Sequence, residues 1–240
     1  MKLLLLHTRP DPVALTQWAT RRNWLSPDGD FGYALHTLLA DAFGSKTPAP
    51  FCYMDEQGLL AYTEDPEQAL RERITRASPD VQRTLGLDTF RIRTFPVEWQ
   101  VGKLLNFEVR IRPIIRTNKG RERDLYQYRM ERWAEDGQDK KPSREATYKD
   151  WLDEKLATEN AARLLNASMQ GFSLSRVIRR SQGESASQRK TQLINGPDVR
   201  FTGTLEVTDT NAFARLIARG IGRHRAFGYG MLLLKPTHRR

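Results

Sequence analysis

Residues 209–234 read D-T-N-A-F-A-R-L-I-A-R-G-I-G-R-H-R-A-F-G-Y-G-M-L-L-L. Asp209 is a good N-cap, and Phe213, Leu216 and Ile217 then share one helical face. Four glycines follow between Gly220 and Gly230, interleaved with Arg223, His224 and Arg225. Met231 to Leu234 reads as a short buried strand. The order is therefore helix, glycine run, strand. A dinucleotide fingerprint follows a strand and opens a helix, and its third glycine position is here Arg225. A helix C-cap accounts for Gly220 and a tight turn for Gly222, but not for the remaining glycines and the basic residues. Glycine lets backbone approach a ligand closely, and arginine offers paired donors to phosphate. Gly220, Gly222, Arg223, His224, Arg225, Gly228 and Gly230 thus read as a phosphate-facing loop.

Outward from this run, the chain carries one pattern twice. In the first half, Lys2–His7 reads as a strand, Pro12–Asn23 and Phe31–Phe43 as helices, and Pro50–Tyr62 as two strands around Asp55-Glu56-Gln57-Gly58. Pro66–Ala77 is a helix with proline at its start, and Asp88–Phe95 a strand. In the second half, Leu105–Arg116 alternates as one long strand. Thr117–Pro142 is a polar, partly helical insertion, and Ser143 caps a helix carrying Tyr148, Trp151, Leu152 and Leu156. Ala161–Met169 reads as a further helical piece, with strands at Phe172–Arg180 and Arg200–Thr208. The expected fold is α+β: two tandem ferredoxin-like (RRM-like) βαββαβ domains, 1–97 and 104–240, meeting near Pro96–Leu104.

The 240 residues carry 39 Lys and Arg against 29 Asp and Glu, a net charge of +10. That surplus points to a polyanionic partner. No apolar run reaches the length of a membrane span, so no membrane partner is expected. Met1–Leu6 is followed by His7, Arg9 and Asp11 without a small-residue cleavage site, and reads as a first strand rather than a signal peptide. One cysteine, Cys52, and four dispersed histidines give no disulfide within the chain and no metal-ligand spacing. Neither metal nor cofactor is expected, and the reading is a cytoplasmic RNA or DNA binder.

Two further elements carry chemistry. Tyr33 and His36 lie three apart on the second helix, off the Leu35, Leu38, Leu39, Phe43 stripe, with Gly29 and Gly32 leaving room at its start. An imidazole titrating near neutrality and a neighbouring hydroxyl suit RNA scission by the substrate's own 2′-hydroxyl. By spacing alone, a helix-end tyrosine and a solvated histidine is the simpler reading. Arg176, Arg179 and Arg180, then Arg189 and Lys190, flank Gln182–Ser187 like a basic hairpin. This pattern fits either a solvated loop or a segment tracking RNA phosphates.

Several segments, in this order, resemble the CRISPR-associated CasE endoribonucleases of type I-E systems. They are G-Y-A-L-H-T-L-L at Gly32–Leu39, F-E-V-R-I-R-P at Phe107–Pro113, Y-K-D-W-L-D-E-K-L at Tyr148–Leu156, V-R-F-T-G-T-L-E-V-T-D at Val199–Asp209, and G-I-G-R-H-R-A-F-G-Y-G-M-L-L-L-K-P at Gly220–Pro236. The resemblance implies an enzyme that cuts the CRISPR repeat hairpin of precursor crRNA at the 3′ base of its stem without metal. The products it implies are a 2′,3′-cyclic phosphate and a 5′-hydroxyl. The enzyme would then stay on the mature crRNA in the Cascade complex, beside other subunits such as the backbone subunit. It maps catalysis to Tyr33 and His36, stem tracking to Arg176–Lys190, and backbone near the cleavage site to the glycine run. The alternative is a non-catalytic RAMP-type RNA-binding scaffold subunit.

Overall fold

The computed structural model describes residues 2–117, 120–136, 141–180 and 191–237. The chain packs as two units. One comprises Met1–Val97, Ser175–Asn195 and His224–Met231; the other comprises Glu98–Leu174, Gly196–Arg223 and Leu232–Arg240. The glycine run is thus shared, with Gly220–Arg223 in the second unit and His224–Gly230 in the first.

In the first unit the leucines of β1 (Leu3–Thr8) make the middle of an antiparallel sheet. Leu5 sits opposite Tyr62 of β3 (Gly58–Thr63) on one side and Arg93 of β4 (Arg91–Phe95) on the other. With β2 (Phe51–Met54) the order is β2-β3-β1-β4, that of a ferredoxin-like fold. Asp11 caps α1 (Pro12–Arg21) by accepting from the Ala14 N–H at 2.6 Å, with Pro12 at the first position. Gly44, at φ 68°, ends α2 (Gly32–Phe43). α3 (Glu67–Arg76) and α4 (Pro79–Leu85) follow. Leu15, Trp18, Leu35, Leu38, Leu39, Leu70 and Leu85 from these helices pack on Leu4, Leu6, Phe51 and Leu59 of the sheet in one core. This pins one stripe of α2 and leaves Tyr33 and His36 off it. α4 adds a helix to the expected pattern.

The second unit is built on β5 (Leu104–Ile111), where Leu105, Phe107, Val109 and Ile111 alternate inward. They face Leu205, Gly203, Phe201 and Val199 of β9 (Thr191–Val207). β8 (Ala162–Arg180) and β10 (Leu233–Pro236) complete the order β10-β5-β9-β8, again ferredoxin-like. The expected single strand Leu105–Arg116 breaks at Arg112-Pro113, since proline cannot donate to a ladder. It resumes as β6 (Ile114–Arg116), which pairs with β7 (Glu122–Asp124). The insertion continues as α5 (Leu125–Asp136), ahead of α6 (Arg144–Leu156). Of Ala161–Met169, expected to be helical, Ala162–Met169 is the start of strand β8. Asp209 caps α7 (Thr210–Arg219), accepting from the Ala212 N–H at 2.7 Å. Among the described residues no helix is long and apolar enough to cross a membrane.

Candidate active site

The first turn of α2 is held from outside the helix. Asp30 accepts from the Gly32 N–H at 2.8 Å, and the Leu35 N–H reaches the Phe31 carbonyl at 2.8 Å. A Cβ on Gly32 would sit well inside contact distance of the Phe227 carbonyl oxygen and 2.7 Å from an Asp30 oxygen. The missing side chain therefore lets α2 and the end of the glycine run touch through backbone. Four glycines of that run, Gly220, Gly222, Gly228 and Gly230, have φ between 73° and 86°, and His224 has φ 61°. L side chains rarely adopt this region, which is the physical reason glycine recurs there. Arg225–Phe227 forms a 3₁₀ turn between the two left-handed residues His224 and Gly228.

That turn places Phe227 beside both candidate catalytic residues. The His36 and Phe227 ring centroids are 5.3 Å apart with planes at 80°, and Tyr33 lies 6.0 Å from Phe227. Tyr33 and His36 are 6.4 Å apart. Trp24 meets Tyr33 edge-on at 6.1 Å, and His224 lies 5.9 Å from Phe227. Edge-to-face packing of this kind restrains ring orientation. Nδ1 of His36 is buried and has no hydrogen-bond partner, so Nε2 is the ring nitrogen available to a substrate. Burial disfavours the imidazolium and holds the His36 pKa below its ordinary value. The pair offers a neutral proton acceptor beside a hydroxyl. Among the described residues no three His, Cys, Asp or Glu side chains are placed to hold a metal ion.

Three more contacts brace this region within the first unit. Ser26 donates its hydroxyl to the Arg176 carbonyl at 2.6 Å. Asp28 accepts from the Arg176 N–H at 2.8 Å and from its guanidinium, with Nη2 at 2.5 Å. The guanidinium holds the Asp28 carboxyl below the usual carboxylate range. Tyr229, fully buried, shares a hydrogen bond with Ser175 at 3.0 Å.

A family model described as CRISPR associated protein matches residues 6–236. The chain belongs to this CRISPR-associated protein family. No curated protein sequence matches it. Among solved structures, the CRISPR endoribonuclease Cse3 bound to a 19-nucleotide RNA is similar at 19% identity and TM-score 0.64, over 98% of both chains. Thermus thermophilus Cse3, bound to an RNA representing a pre-cleavage complex, is 18% identical with TM-score 0.57, over 98% of this chain and 100% of that one. Cas6e of Escherichia coli K-12 is 21% identical with TM-score 0.51, over 99% and 100%. At these identities the likeness is one of fold.

In this CRISPR-associated protein the expected site residues separate into groups. Tyr33, His36, His224, Arg225, Gly228 and Gly230 lie in the first unit, with Arg176 tied to Asp28. Gly220, Gly222 and Arg223 lie in the second, where a Cβ on Gly222 would meet Trp151 at 2.6 Å. Arg223 donates to Glu122 at 2.9 Å. Arg179 and Arg180 end β8, while Arg189 and Lys190 lie outside the described residues, as does His238. His7 Nε2 is bonded to the Gln57 carbonyl at 2.7 Å, a structural contact. Phe227 and Asp28 were not legible as site residues, because each acts through a partner far away in sequence.

Proposed function

We propose that this protein is a metal-independent endoribonuclease of CRISPR repeat RNA. It binds the repeat hairpin in precursor crRNA, cuts at the 3′ base of the stem, and stays on the mature crRNA as a Cascade subunit. The observation that carries this reading is the pairing of Tyr33 with a neutral, burial-restrained His36 against Phe227 of the glycine run. The RNA-bound and endoribonuclease character of the structural neighbours and the +10 charge support it.

The chemistry asks little beyond proton transfer. The 2′-hydroxyl loses its proton as its oxygen attacks the adjacent phosphorus. The bond from phosphorus to the 5′-oxygen then breaks, and that oxygen gains a proton. The products are a 2′,3′-cyclic phosphate and a 5′-hydroxyl, and atoms balance without water or an oxidant. Neutral His36 accepts or returns a proton, and Tyr33 orients the hydroxyl or shares its proton. His224–Gly230 of the glycine run, with their backbone N–H groups and Arg225, face the phosphate; Arg176 and the basic residues that follow it in sequence track A-form shape.

A repeat hairpin with a 2′-deoxy nucleotide at the cleavage position tests the mechanism. It should bind like the all-ribose RNA and resist cleavage. Cleavage of the deoxy substrate would mean that water, not the 2′-hydroxyl, is the nucleophile.

A further inference from the structure

The insertion between β5 and α6 builds a feature that the proposed cleavage chemistry does not use. β6 and β7 pair Ile115 with Arg123 and Arg116 with Glu122. With the first turn of α5 they enclose a concavity of about 690 Å³, lined by Arg116, Arg121, Glu122, Arg123 and Tyr128 among others.

Its charges do not cancel. The Glu122 carboxylate is only 7% exposed and is matched by Arg223 at 2.9 Å. Arg123 is paired with Glu131. Arg116 and Arg121 have no acidic partner among the described residues. The concavity therefore keeps two uncompensated guanidinium groups. Tyr128 of α5 lines the same concavity, with the Arg123 guanidinium 5.8 Å and the Arg132 guanidinium 6.0 Å from its ring centroid. Arg132 also donates to the Tyr128 hydroxyl at 3.3 Å. Arg116, Arg121 and the Tyr128 ring thus line one concavity, and cationic groups combined with an aromatic face are the elements that hold single-stranded nucleic acid. The volume is that of a small-ligand pocket, room for a nucleotide or two and too small for a double helix.

We propose that this concavity is a second RNA site, which takes single-stranded RNA through phosphate contacts to Arg116 and Arg121 and base stacking on Tyr128. The proposal rests on the hairpin-binding reading for the identity of the RNA: the strand is the single-stranded 5′ part of the same molecule. Arg223 then has a role apart from the cleavage site, as the counter-charge that keeps Glu122 from repelling that strand.

The test compares an uncleavable repeat hairpin with the same hairpin carrying a 5′ oligouridine extension. Affinities are read by fluorescence anisotropy across a salt series. The extension should tighten wild-type binding roughly tenfold. Arg116→Glu with Arg121→Glu should erase that gain and flatten the log–log salt slope by about 0.7 per lost phosphate contact. Tyr128→Leu should reduce the gain with the slope unchanged. An extension that gives wild type no gain overturns the proposal, as does a double-variant loss that is equal with and without the extension. If the protein binds no hairpin at all, the earlier reading fails instead. Free oligouridine then decides: binding weakened by the same substitutions supports the concavity, and no binding overturns it.

Discussion

The imidazole of His36 meets the ring of Phe227 edge-on, with centroids 5.3 Å apart and planes at 80°. Nearly the whole length of the chain separates them in sequence. The contact ties a helix of the first half to the glycine run at the far end, and it restrains the ring whose proton transfer the proposed reaction needs.

Burial keeps His36 neutral, and this has a pH signature. Its pKa in the folded protein lies below its ordinary value. As pH falls below about 6.5 the unfolded chain takes up this proton first, so the folded state loses stability until the lower folded pKa is passed. Denaturant titrations at pH 7.5 and pH 5.5 should show this loss in the wild type and a smaller one in His36→Gln. For cleavage, a rate that needs the neutral ring should hold below about pH 6.5 before its acid limb falls.

Gly32 and Gly29 should respond differently to alanine. Gly29 has φ 77° and open space around it, so Gly29→Ala carries only backbone strain, about 1 kcal/mol. Gly32 has no unusual φ, but its new Cβ would collide with the Phe227 backbone. Gly32→Ala should cost about 1–3 kcal/mol despite alanine's better helix propensity. It should also displace Phe227 and lower the cleavage rate. Equal stability and equal rates for the two variants would show that the close approach is unimportant.

The guanidinium of Arg176 already carries Asp28, which would compete with an RNA phosphate for it. Asp28→Ala removes that competitor. Hairpin binding should then steepen in its salt dependence by up to about 0.9 in slope, one phosphate contact's worth. An unchanged slope would assign Arg176 to bracing the loop before α2.

The legible parts of the fold were those with strong periodicity or capping. β5 alternates, α2 carries an apolar stripe, and Ser143 and Asp209 cap their helices. Ala161–Met169 was misread because β8 is an edge strand with much of its side-chain surface exposed, which leaves leucine and alanine to suggest a helix. Pairing with β9 overrides that propensity, and Gly203 makes room for the Asn166 carbonyl of β8. α4 did carry a signal in Ser78-Pro79-Asp80, where Ser78 accepts from the Val81 N–H at 3.4 Å, but it is only seven residues long. At the site, the Tyr33 and His36 spacing was visible. Phe227 was not, since nothing local in sequence announces a long-range ring contact.

The insertion's attachment makes a separate stability prediction. Tyr148 donates to Asp124 at 2.7 Å, and Arg144 lies 4.1 Å from the rings of both Tyr126 and Phe172. Burial and the Asp124 carboxylate push the Tyr148 pKa up, so its hydroxyl keeps its proton. Tyr148→Phe leaves the buried Asp124 short of a donor and should cost about 1–3 kcal/mol in denaturant titration. Cleavage of the hairpin should survive where the fold does.

Cleavage of a labelled cognate repeat hairpin in EDTA tests the central claim most directly, with wild type and His36→Ala side by side. The account predicts one metal-free cut at the 3′ base of the stem, slowed about 10²–10⁴-fold or more in His36→Ala while binding is retained. Wild-type binding that leaves the cognate RNA intact would contradict it in favour of a scaffold, and unimpaired cutting by His36→Ala would place the chemistry elsewhere.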